Sequence, residues 1–175
     1  AYLVYITEYL LAAFYLFFKK RWDLLTTFGW VFFIVNILGF ITYFIYPAAP
    51  PWYVSQYGLG PALMNVHPNQ AAAARFDQFF GTHFFDDLYG RGVDVYGAYP
   101  SLHVTYPLLV SWVTFQLKEL KWVRPFAIAF FFLMCLSAVY LQHHYIVDIL
   151  LGITYATTTL LIVLKLRKPG QESLA

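Results

Sequence analysis

Five apolar stretches, at about residues 1–18, 24–46, 101–117, 123–142 and 145–164, take up more than half of a chain of 175 residues. Each reaches or approaches the roughly 20 residues that a helix needs to cross the hydrocarbon core of a bilayer. The composition agrees: 61% of residues are hydrophobic, 22% aromatic and 11% charged, where a soluble domain carries about a quarter charged residues. The mean hydropathy is +0.60. The expected fold is an all-α integral membrane protein, a helical bundle with five transmembrane helices in these residues and six if a further span precedes Ala1. One membrane-embedded catalytic domain covering 1–175 is expected at this length. The single cysteine, Cys135, excludes an intramolecular disulfide and reads as a small buried hydrophobe.

The connections between the stretches set the sidedness. "KKRWD", "KELKWVR" and the tail "KLRKPGQESLA" together hold nine of the eleven Lys and Arg residues. If the spans alternate, all nine fall on one face, and the excess of basic residues on cytoplasmic loops makes that face cytoplasmic. The opposite face receives the long segment 47–100 and the turn at His143–His144. It therefore holds all five histidines: His67, His83, His103, His143 and His144. Any chemistry is expected on that non-cytoplasmic face. A bacterial inner membrane is the favoured setting, with a Golgi-type lumen as the alternative. No nucleic-acid partner is expected.

Segment 47–100 is too long for a bare loop. "PNQAAAARFDQFF" starts like a helix at Pro68–Asn69 and stops at Gly81. Its Ala72, Phe76, Phe79 and Phe80 fall near one face, as in an interfacial amphipathic helix. "YPAAPPWYVSQYG" reads as a proline stop followed by an aromatic belt that anchors the chain at the membrane surface. Glu8 lies within the first span and should face other helices or a water-filled cleft, with no chemistry assigned to it.

In "YLQHHYIVDILLG", a helix starting near Tyr145 makes His144 and Asp148 neighbours on one face, at i and i+4. His143 points elsewhere. A carboxylate beside an imidazole fixes its tautomer and leaves the second ring nitrogen as a lone pair, so His144 is a candidate nucleophile. The bland alternative is a polar pair that helps helices pack. Position decides for function, because ionisable groups about one turn below a membrane surface are functional candidates by default.

"AYPSLHVTYP" is the second constellation. Pro100 is set for a helix start, which would put His103 in the first turn of the third span. Helix N-terminal N–H groups and the Ser101 hydroxyl would form an anion site, and His103 could protonate a leaving oxygen. Two arginines, Arg75 and Arg91, lie on the outer side. A guanidinium suits a phosphodiester well. Arg75, Ser101, Arg91 and His143 are the candidate phosphate-binding residues, each weighed against an ordinary surface or packing role.

At these residues the chain resembles the type 2 phosphatidic acid phosphatase superfamily. "SAVYLQHHYIVD" is similar to its signature S-R-x5-H-x3-D, with Ser137, His144 and Asp148 on the serine, histidine and aspartate. "PSLH" is similar to its P-S-G-H, with His103 on the histidine. Ala138 stands where that signature has arginine, and no K-x6-R-P signature is evident. Within the superfamily, "APPWY", "AARFDQFFGTHFF", "VYGAYPSLH" and "HHYIVD" resemble, in order, stretches of the inositol phosphorylceramide synthase family. The resemblance covers about Pro47 to Gly152. It implies His103, His144 and Asp148 as the catalytic triad and puts Arg75 on a family arginine.

The activity so implied is transfer of a phosphoinositol-like headgroup from a phospholipid donor to a lipid alcohol such as ceramide. It runs through a phosphohistidine on His144 and needs no metal or other cofactor. The nearest rival is a lipid phosphatase using the same histidines with water as acceptor. A different class is a metal-dependent hydrolase or transporter in which His103, His144 and Asp148 hold zinc. Haem ligation and a purely structural scaffold are further alternatives.

Overall fold

The computed structural model describes residues 4–89 and 95–167. Eight α-helices occur in these residues: α1 Tyr5–Phe18, α2 Trp22–Ile45, α3 Pro51–Tyr57, α4 Ala74–Phe80, α5 Phe84–Tyr89, α6 Thr105–Gln116, α7 Arg124–Tyr140 and α8 Ile146–Leu166. Among the described residues there is no strand, only an isolated parallel bridge between Ala48 and Gly97. The five apolar stretches all appear as helices. Two of them, α2 with 24 residues and α8 with 21, are long and apolar enough to cross a membrane. The others are shorter: 14 residues in α1, 12 in α6 and 17 in α7.

The helix ends follow local chemistry. α7 carries a proline in its first turn, where a missing N–H costs nothing. It stops just ahead of Gln142, whose φ of 61° lies in the left-handed region. α8 starts where the Asp148 carboxylate accepts the backbone N–H of Tyr145 at 2.6 Å. α6 differs most from expectation, since it begins at Thr105 rather than at Pro100. His103 therefore sits on the turn before the helix, not in its first turn. The reason is tertiary: the Ser101 N–H donates to the Asp148 carbonyl on α8 at 2.9 Å, which draws the chain away from helical geometry.

α6 is the central post. It packs on α1, α2, α7 and α8, and most of its residues are buried. Leu16, Phe28, Val31, Val35, Leu109, Val113 and Ala156 form the main core. The outward faces stay apolar, with Phe14, Phe18, Phe33, Phe44, Phe132 and Leu161 all exposed. Between apolar helices in lipid, close packing rather than water exclusion supplies the attraction, and small residues permit it. Gly39 and Gly152 do so here. A Cβ on Gly39 would lie 2.7 Å from Leu102 Cδ2, and one on Gly152 would lie 2.2 Å from the Ser101 carbonyl oxygen.

The two ends of the bundle differ in charge. At one end Arg21 pairs with Asp23 at 3.1 Å, Arg167 donates to the Thr27 hydroxyl, and Arg124 Nε donates to the Thr114 carbonyl at 2.8 Å. The starts of α1, α6 and α8 meet at the other end, through the rings of Tyr5, His103 and His144.

The outer segment is a cap over this second end. Trp52 and Tyr53, expected in a surface belt, are each only 3% exposed. The correction has a plain cause: the Trp52 N–H donates to the Gln142 carbonyl at 3.1 Å and docks α3 on the α7–α8 turn. The chain just before α3 clamps the approach to α6, with Ala48 N–H donating to Tyr96 at 2.7 Å and Ala98 N–H donating to Ala48 at 3.2 Å. The predicted helix stop at Gly81 is present, with φ 64°. Its faces divide differently, however. Ala72 and Ala73 are buried, while Phe76, Phe79 and Phe80 point outward. The small alanines form a 3-10 turn that packs inward, so Ala72 does not share the phenylalanine face.

Candidate active site

Side chains from two distant stretches of the chain meet at the capped end. His103 comes from the turn before α6, His144 from the α7–α8 turn, and Asp148 from the first turn of α8. His103 Nδ1 lies 3.1 Å from His144 Nε2. The other nitrogen of His144, Nδ1, lies 2.7 Å from the Ala98 carbonyl oxygen. His144 is 3% exposed and Asp148 2%.

The partners fix the protons. A carbonyl oxygen only accepts, so His144 Nδ1 carries the hydrogen. In the neutral ring Nε2 is then the lone pair, and His103 must donate to it from Nδ1. The sequence assigned this tautomer lock to Asp148. The lock is instead the Ala98 carbonyl, because the carboxylate stands 3.6 Å from His144 Nδ1, beyond hydrogen-bond range. Asp148 caps α8 through Tyr145 N and puts a negative charge beside the proton-bearing edge of His144. That charge opposes no lone pair and favours any positive charge that develops on the ring.

Burial, then the neighbouring His144 and His143, holds the His103 imidazole well below the usual histidine range. Burial and His144 also bring His143 down to about 4. Both of these rings, His103 and His143, are thus favoured in the neutral form.

The remaining predicted residues take different positions. His143 neighbours the pair and stacks on Tyr89 with ring centroids 4.6 Å apart. Ser101 is fully buried, and its hydroxyl oxygen has no hydrogen-bond partner among the described residues. Its backbone N–H, expected to bind an anion, is already taken by Asp148. Arg75 is exposed on α4. Ala73, fully buried among Val104, Ala138, Leu141 and Ile149, roots that helix beside the histidine turns. Arg91 lies outside the described residues. His67 and His83 are exposed on the cap.

Zinc ligation by the triad fits poorly. Asp148 approaches the Nδ1 edge of His144 and His103 the Nε2 edge, so the three do not face a common point. No group of three or more His, Cys, Asp or Glu side chains among the described residues is placed to hold a metal ion.

Several contributors were not singled out from sequence. The Ala98 carbonyl leaves no signature, since any residue supplies one. Gly152 did leave a trace, as a glycine one turn after Asp148 in an otherwise apolar helix. Tyr43 donates to the Pro100 carbonyl at 2.8 Å and steadies the chain beside Ser101.

Comparison with known proteins gives the chain's relatives. The family model of the PAP2 superfamily matches residues 1–162. The phosphoinositol dihydroceramide synthase of Bacteroides thetaiotaomicron is 40% identical over 159 residues, which is 89% of this chain and 50% of that protein. The inositol phosphorylceramide synthase catalytic subunit of Schizosaccharomyces pombe is 32% identical over 151 residues, 84% of this chain and 33% of that protein. Its counterpart from Saccharomyces cerevisiae is 33% identical over 119 residues, 67% of this chain and 29% of that protein. The chain thus spans half or less of the length of these relatives. No solved structure gives a significant match.

Proposed function

The chain belongs to the PAP2 superfamily, and within it we propose a membrane phosphotransferase that moves a phosphoinositol-like headgroup from a glycerophospholipid to a ceramide-type alcohol. The observation that carries the proposal is the hydrogen-bonded row from the Ala98 carbonyl through His144 to His103. It presents a defined lone pair on His144 with a second imidazole beside it. The relatives named as phosphoinositol dihydroceramide and inositol phosphorylceramide synthases support the choice of substrates.

The reaction takes two displacements. Phosphate slides between the rings and breaks the His103–His144 contact. His144 Nε2 attacks phosphorus, the bond to the diacylglycerol oxygen breaks, and protonated His103 gives that oxygen its proton. His103 acquires that proton as the anionic phosphate arrives, because a nearby negative charge offsets the burial that otherwise keeps the ring neutral. The phosphohistidine keeps its Nδ1 hydrogen and so carries positive charge. The Ala98 carbonyl and the Asp148 carboxylate stabilise it. In the second displacement His103 removes the proton of the acceptor hydroxyl, whose oxygen attacks phosphorus and releases His144.

Arg75 is the guanidinium we assign to the headgroup phosphate, and the buried Ser101 hydroxyl and Arg91 are further candidates. Ala138 supports a transferase over a phosphatase. At the position of the superfamily's signature arginine it is fully buried in an apolar cluster, so the usual phosphate clamp is lacking there. We place α1, α2, α6, α7 and α8 across the bilayer, the basic end in the cytoplasm and the histidines at the opposite face, in a bacterial inner membrane. Incubating the protein with labelled phosphatidylinositol, with and without ceramide, tests the proposal. Headgroup on ceramide supports it; inositol phosphate released regardless of ceramide refutes it in favour of hydrolysis.

A further inference from the structure

A cavity of about 350 Å3 lies between α1, α6 and α7. Leu11, Ala12, Val110, Val113, Phe126 and Phe130 form much of its wall. Leu11 and Phe126 are 64% and 75% exposed, so the cavity opens sideways to lipid. Its one charged lining residue is Glu8, whose Oε2 is buried and has no hydrogen-bond partner among the described residues. A buried carboxyl with an unmet acceptor is costly and marks a functional position in a membrane.

The cavity begins at Glu8, one helical turn along α1 from Tyr5, and runs from there towards the basic end of the bundle. Tyr5 meets the His103 ring edge-on at 5.0 Å and stacks on Tyr106 at 5.4 Å. Glu8 follows Tyr5 on the same face of α1, about 4.5 Å further along the axis. A lipid whose hydroxyl reaches His103 would thus have its polar neck near Glu8 and an alkyl chain below. At ~30 Å3 per water-sized group, the volume holds roughly a dozen such groups, one stretch of chain rather than two full tails.

We infer that this cavity receives the acceptor lipid, and that Glu8 accepts a hydrogen bond from an amide N–H or secondary hydroxyl beside the reacting hydroxyl. The inference rests on the transferase reading above. The chemistry selects the acceptor over the donor. A carboxyl retains an acceptor oxygen in either protonation state, so its partner must bring a donor hydrogen. An N-acylated amino alcohol has two such groups next to its primary hydroxyl. The part of the donor that would enter an apolar cavity is its diacylglycerol unit, which has only ester oxygens there.

The test uses the full-length protein in nanodiscs and two acceptors that attack the same phosphohistidine. One is ceramide, read as new product. The other is labelled diacylglycerol, read as exchange back into the donor. Glu8→Leu should raise KM for ceramide roughly 10- to 100-fold while leaving exchange unchanged, and Glu8→Gln, which keeps a carbonyl oxygen, should recover most of the loss. Equal losses with both acceptors, or none, would overturn the inference. A second arm needs no turnover: ceramide bearing a diazirine on its alkyl chain should label peptides containing Leu11 and Phe126. Label elsewhere with transfer intact overturns the cavity assignment alone. Label on these walls without any transfer would instead overturn the transferase reading and keep the cavity.

Discussion

Gly152→Ala should disable the enzyme without unfolding it. The new Cβ would stand 2.2 Å from the Ser101 carbonyl oxygen and 3.2 Å from its carbonyl carbon, and real Cβ contacts essentially never fall below 3.0 Å. Relief requires the backbone at Ser101 to retreat from α8 by about 1 Å. That movement stretches the 2.9 Å bond from Ser101 N–H to the Asp148 carbonyl past hydrogen-bond range and shifts His103, two residues on. Overpacking of this kind costs roughly 1–3 kcal/mol of stability. The catalytic effect is larger, since a 1 Å misplacement of a reacting group can cost about 100-fold in rate. Headgroup transfer from labelled donor to ceramide gives kcat, and thermal unfolding in detergent confirms folding. Gly29→Ala is the control, because a Cβ there meets nothing within 4 Å. It should leave activity unchanged. If Gly152→Ala also matches wild type, the approach of Ser101 to α8 does not position the site.

Other perturbations separate the roles of neighbouring residues in the same transfer assay. His144→Ala should abolish transfer and Asp148→Asn should lower kcat on the order of 100-fold or more. His143→Ala should cost much less, through loss of the Tyr89 stack; the reverse ranking would exchange the two histidines. Arg75→Lys should raise KM for the phospholipid about tenfold, because an ammonium cannot reproduce a two-pronged contact with phosphate, whereas an unchanged KM would remove Arg75 from the headgroup. Stability should also depend on pH. His103 and His143 bind protons less readily when folded than in the unfolded chain, so their contribution is complete above about pH 6.5. It should decline as pH falls, for His143 until about pH 4. Unfolding temperatures that stay flat between these limits would contradict the buried neutral rings.

The long helices were legible because apolar runs bounded by charge or proline have few alternatives: 24–46 became Trp22–Ile45, and 145–164 became Ile146–Leu166. The nearness of His144 to Asp148 was legible too, although His144 lies on the turn before α8 rather than on the helix itself. What sequence did not reveal is tertiary and carried by backbone. The delayed start of α6 depends on Ser101 N–H reaching Asp148 across the bundle. The lock on His144 is a carbonyl that no side chain announces. Trp52 and Tyr53 looked like surface anchors because aromatic residues near a span end do both jobs. Only docking on the Gln142 carbonyl distinguishes the two. Arg75 and Ser101 stand out in the sequence by charge and hydroxyl chemistry alone; Arg75 lies exposed on α4, and the Ser101 hydroxyl has no hydrogen-bond partner among the described residues.

Rapid quenching of the enzyme with labelled donor and no acceptor, followed by peptide mass spectrometry at alkaline pH, goes straight to the covalent step. An acid-labile headgroup phosphate should appear on His144 and be discharged when ceramide is added. An adduct on His103 or His143, or steady transfer to ceramide with no adduct at any histidine, would contradict that assignment.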